Sequence, residues 1–171
     1  MNNVFSNILR FLVVIVLQIF VCSHINLFGF ATPALYLFAL LLLPFELPLS
    51  VQYLIGFLTG FVIDLFAHTQ GVNSFACVIL MFVRSYLAKA LNGGKSTEGI
   101  ERPIPGVKDF KWLFAYTLTL SALHQFLVIM LETSKFANFG HTMLVVLCNT
   151  VFTVFVLLCI LYIFYPAQRK Y

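Results

Sequence analysis

Asp64 and His68 stand four residues apart in the stretch PLSVQYLIGFLTGFVIDLFAHTQG, residues 48–71. On a helix that spacing puts an acid and an imidazole on one slowly rotating stripe, which should face protein or a water-filled cleft. Ser121, His124 and Glu132 form a second polar edge, with Val128 completing an i, i+3, i+4 pattern. Asn149 and Thr153, again four apart, offer a third. Ser121, His124 and Asp64 have the residue types of a nucleophile–base–acid triad, but no nucleophile elbow or oxyanion loop accompanies them. Gly94-Lys95-Ser96 imitates the end of a phosphate loop, yet Lys89 stands where that pattern needs a glycine and no strand precedes it. His24, His68 and His141 lack metal-ligand spacing. Cys22, Cys77, Cys148 and Cys159 lie singly in apolar runs, as small buried hydrophobes do. The sequence therefore predicts no catalytic residue, no metal and no cofactor.

The elements that must carry these residues are membrane helices. The chain is 61% hydrophobic and 9% charged over 171 residues, against about 25% charged in an ordinary soluble domain. So little polar material cannot cover a globular core, and lipid must cover it instead. The apolar runs predict one integral membrane domain over residues 1–171, an all-α polytopic bundle of about six spans. The first runs from Ile8 to Cys22 and is retained, since Ile19, Phe20 and Val21 are too large for a signal-peptide cleavage site. The others run from Thr32-Pro33 to Leu43, Leu49 to Ala67, Val72 to Leu91, Lys111 to Leu131 and His141 to Tyr165. The second is bracketed by Pro33 and Pro44 and is short for a crossing. It either continues past a kink or is a re-entrant segment buried in the bundle.

Charge placement predicts the orientation. With the N-terminus in the cytoplasm, Arg10, Lys89, Lys95, Arg102, Lys108, Lys111, Arg169 and Lys170 all fall inside, and Lys135 falls outside. A re-entrant second segment would flip only the first span. The 92–110 stretch, rich in turn residues, reads as a cytoplasmic loop, and the Asp64–Gly71 turn lies on the outer side. The net charge of +4 then belongs to topology and to anionic lipid, with no nucleic acid partner.

Gly56, Gly60, Asp64 and His68 follow at intervals of four, two notches for close helix approach followed by an acid and an imidazole. A carboxylate facing lipid near the bilayer centre costs about 2.5–3.5 kcal/mol. The stripe is therefore expected to face protein or a water-filled cleft, and to be a docking face for other helices. Arg84 has two readings. It snorkels toward the headgroups beside Lys89, or it is a buried anchor for carbonyls or a carboxylate. Pairing with Asp64 is disfavoured by a depth difference of about 10 Å. His68, Ser121, His124, Glu132 and Asn149 either line one outward-facing polar cleft or make separate interhelical hydrogen bonds.

Two runs carry a resemblance. HINLFGFATPALYLFALLLLPF (His24 to Phe45) and GFLTGFVIDLFAHTQGVNSFACVILMFVRSYL (Gly56 to Leu87) resemble the MreD family of bacterial rod-shape-determining membrane proteins, in its Bacteroidetes branch. YTLTLSALHQFLVIMLETSKFANF (Tyr116 to Phe139) fits too. The most specific piece is the Gly-x3-Gly-x3-Asp helix, then Gly71, then Arg84 in the next span. Ser85 departs from the pattern, which has a proline there. The resemblance implies a fold similar to the substrate-binding subunits of energy-coupling-factor transporters. It implies a non-enzymatic inner-membrane scaffold of the cell-elongation and peptidoglycan machinery. The implied partners are an MreC-like single-span protein, a RodA-like glycosyltransferase, a class B penicillin-binding protein and, indirectly, an MreB-like actin homologue. The alternative reading is a small-molecule-binding membrane subunit of a transporter.

Overall fold

The computed structural model describes residues 13–18, 33–94, 102–133 and 139–165. Every element named from them is a helix: α1 (Tyr36–Leu41), α2 (Leu49–Ala67), α3 (Val72–Leu91), α4 (Phe110–Thr133) and α5 (Phe139–Phe164). Residues 13–18 are helical as well. The helices α2 to α5 are each long and apolar enough to cross a membrane. The class these helices define is an α-helical membrane bundle.

The boundaries follow from local chemistry. Pro48 stands just before α2, where its fixed φ and missing N–H cost nothing. The helix ends on His68, which takes the left-handed conformation at φ 56°. Gly71, also left-handed at φ 82°, starts α3 three residues later. This short turn folds α3 back along α2, and α4 and α5 then pack in order, each against its predecessor. The expected limits of α2 and α3 are met residue for residue, and those of α4 and α5 differ by one or two residues. The expected first span is described only over 13–18, and the rest of it lies outside the described residues. The loop is described at 92–94 and 102–109, where Lys108 Nζ donates to Asn92 Oδ1 at 2.8 Å and lies over the Trp112 ring.

The Pro33–Pro44 segment does not cross. Its helix, α1, has six residues, about 9 Å of rise. It is buried rather than lipid-facing: Leu37 and Leu40 are fully enclosed in the core with Leu80, Met81, Tyr116, Leu120 and Leu157. A full crossing by residues 33–44 is thus excluded, and the buried broken segment is what the chain forms. Irregular backbone is tolerated at membrane depth only when protein satisfies its polar groups, and the surrounding helices do so at both ends. At the start, Ala34 N donates to Thr153 Oγ1 at 3.3 Å and Leu35 N donates to Gln18 Oε1 at 2.6 Å. At the far end, the carbonyls of Leu41 and Leu43 accept from Arg84.

Candidate functional site

The expected stripe on α2 is real, and its partner is this chain's own next helix. A Cβ on Gly60 would sit 2.5 Å from Ser74 Cα and 2.6 Å from both Asn73 O and Ser74 N. On Gly56 it would sit 2.8 Å from Met81 Cγ and 3.2 Å from Cys77 O. The two notches therefore hold the start and middle of α3. A helix from another protein has no room there, so the stripe is not the docking face that the spacing suggested.

Asp64 completes that contact. Its Oδ1 accepts from Thr69 Oγ1 at 2.5 Å, and from Asn73 N and Asn73 Nδ2 at 3.0 Å. Its Oδ2 accepts from Ser74 N at 2.8 Å and Ser74 Oγ at 2.6 Å. The first amides of a helix have no intrahelical partner and ordinarily take a side-chain cap from the N-cap residue. Gly71 has no side chain to offer, and α3 has no cap of its own. Asp64 reaches across from α2 and supplies it, in a favourable place for negative charge. The carboxylate is 4% exposed, so neither the lipid-facing nor the water-reaching arrangement applies.

Arg84 is the buried anchor, not a snorkelling residue, and it does not meet Asp64. It is fully buried. Nε donates to Tyr116 Oη at 2.8 Å, and Nη1 donates to Gln52 Oε1 at 2.9 Å. Nη2 donates to Leu43 O and, at 3.5 Å, to Leu41 O. The guanidinium lies 4.1 Å from the centre of the Phe45 ring. Tyr116 Oη in turn donates to Leu41 O at 3.2 Å. The planar fork of arginine is what lets one side chain hold two carbonyls, an amide and a phenol together. Its function here is to close the end of α1.

A relay of polar side chains joins the Asp64 cap to α4. Tyr36 Oη donates to Asn73 Oδ1 at 2.9 Å and lies 3.0 Å from His124 Nε2. With its own proton committed to Asn73, Tyr36 accepts from His124, which makes Nε2 the protonated nitrogen. Nδ1 is then a buried acceptor with no hydrogen-bond partner among the described residues, and the buried Ser121 hydroxyl has none there either.

Beside this relay lies a cavity of about 390 Å³. Tyr36, Asn73, His124, Gln125, Glu132 and Asn149 contribute its polar wall, with Ile63, Val128, Ile129 and Val145 among the apolar lining. The expected polar cleft is therefore present for His124, Glu132 and Asn149. Ser121 is fully buried and is not part of its wall. His68 is exposed and also apart from it, since its left-handed backbone turns it away as the cap of α2. Tyr36, Gln52, Asn73, Ser74 and Tyr116 carry much of this polar structure and were not singled out from sequence. Among the described residues, no cluster of His, Cys, Asp and Glu has the makings of a metal site.

Comparison with protein-family models, with curated proteins and with solved structures finds no match to this chain.

Proposed function

We propose that this chain is a non-enzymatic scaffold of the bacterial cell-elongation machinery, of the MreD kind. One observation carries the reading: the residues on which the resemblance rests are those that lock the bundle. Gly56 and Gly60 seat α3, Asp64 caps it, Gly71 makes the turn, and Arg84 closes the broken segment. A motif that builds a fold supports kinship of fold. Fold alone does not fix function, and the rigidity supplies the physical link. A bundle whose polar groups at the α2–α3 contact and around Arg84 are committed to one another offers partner helices a preorganised surface, so less ordering entropy is lost on docking.

The surface left for partners is outward-facing and rich in aromatic residues, such as the stacked Phe57 and Phe61 on the side of α2 away from the notches. In this reading the protein lies in the inner membrane with its C-terminus and the 92–110 loop in the cytoplasm. Its partners are an MreC-like single-span protein, a RodA-like glycosyltransferase and a class B penicillin-binding protein, with an MreB-like filament beyond them.

Purification of the tagged full chain from its native membranes, with partners identified by mass spectrometry, tests this. Enrichment of an MreC-like protein over an unrelated polytopic control is expected. Equal recovery from both would refute the scaffold reading. The cavity beside His124 favours a second reading, a binding subunit of a transporter, which requires an ATPase module to co-purify instead.

A further inference from the structure

We infer that the cavity beside Tyr36 and His124, lined from all five helices, is a binding site for a small organic cation with an apolar body. The inference goes beyond the scaffold reading and does not depend on it. The volume, about 390 Å³, lies in the range of small-molecule sites, about 300–1,000 Å³. The wall combines two kinds of surface. Ile63, Val128, Ile129 and Val145 supply an apolar side against which a hydrocarbon or ring can lie. Asn73, Gln125 and Asn149 add amides to the lining.

Charge decides the class of ligand. Among the described residues of the lining, Glu132 is the one charged side chain, and neither lysine nor arginine is among them. Glu132 is exposed while His124 is 1% exposed, so the carboxylate stands toward solvent and the imidazole at the closed end. An anion entering would meet the carboxylate and gain no compensating cation. A phosphate or a second carboxylate is thereby disfavoured. An ammonium gains the Coulomb attraction of Glu132 at the entrance while its apolar portion is covered by Ile63, Val128 and Val145. The buried carboxylate nearby, Asp64, is saturated by five donors and takes no part.

The test uses the full chain in lipid nanodiscs at pH 8, with Val145→Cys placing a thiol on the cavity wall. Aminoethyl methanethiosulfonate, a cation, and sulfonatoethyl methanethiosulfonate, an anion, are compared by rate of modification at that position, read by peptide mass. The cationic preference is expected to fall about fivefold in the Glu132→Gln background, the effect of one carboxylate a few ångströms away in partly wet surroundings. Glu132 is exposed, so this variant keeps the fold. Phenethylammonium is expected to protect the thiol at millimolar concentration, and phenylacetate, its near-isosteric anion, is not. Equal protection by both, protection by neither, or a preference unchanged by Glu132→Gln would each overturn the assignment.

Discussion

Replacing Gly60 by alanine adds one methyl group where α2 meets the backbone of α3. The added carbon would stand 2.5–2.6 Å from Ser74 Cα, Ser74 N and Asn73 O. All three are backbone atoms, so no side-chain rotation relieves the clash. Ordinary carbon contacts lie at about 3.5–4.0 Å, and α2 and α3 must therefore separate locally by about 1 Å. Overpacking of this kind costs about 1–3 kcal/mol. The separation also stretches the bonds from Asp64 to Ser74 N and Asn73 N, now 2.8 and 3.0 Å, and hydrogen bonds to a charged group contribute about 1.5–3 kcal/mol when intact. Alanine returns about 1 kcal/mol of helix propensity. The net expectation is a loss of about 2–4 kcal/mol, seen as a Tm lowered by about 5–10 °C. Gly56→Ala is the internal control. Its closest contact is the flexible Met81 thioether chain, which can shift, so the net change stays within about 1 kcal/mol. Thermal unfolding of both variants in detergent, followed by circular dichroism, checks the order. An unchanged Tm for Gly60→Ala, or a larger loss for Gly56→Ala, would refute the packing argument.

Arg84→Lys keeps the charge but loses the fork that holds Tyr116, Gln52 and the Leu43 carbonyl together. It is expected to destabilise by about 2–4 kcal/mol, and proteolysis near Pro44 should quicken with it; wild-type resistance would count against the clamp. His68→Gly removes a side chain from a left-handed position and is expected to raise stability by up to about 1 kcal/mol. A marked loss in that thermal assay would mean that the imidazole itself contributes a contact.

The sequence made the long elements legible because each is an apolar run, and two of them open on a residue with one strong backbone preference. Pro48 opens α2 and Gly71 opens α3, and these limits needed no tertiary information. The Pro33–Pro44 interval marked a short segment but left open whether it continued past a kink or stayed buried in the bundle. The partners of the polar residues were not legible. Arg84 bonds to Gln52, to Tyr116 and to the Leu43 carbonyl, each more than thirty positions away, and no local spacing encodes such a meeting. The notches at Gly56 and Gly60 announced a close helix without saying whose. One signal was available and missed: α3 begins after a glycine that cannot cap it, and Asp64 is the nearest upstream carboxylate across a short turn. That combination points to a cap supplied from the preceding helix. The cavity depended on α1 stopping short. Tyr36 could then meet Asn73 and His124, a convergence that an uninterrupted helix would have arranged differently.

The central claim is that Asp64 is committed within its own chain as the cap of α3. A double-mutant cycle between Asp64→Asn and Ser74→Ala, read by equilibrium unfolding in mixed micelles, measures that commitment most directly. A coupling of about 1–3 kcal/mol is expected for a charged hydrogen bond of this geometry. Strictly additive effects of the two substitutions would contradict it, and would return the carboxylate to the surface as a group awaiting a partner.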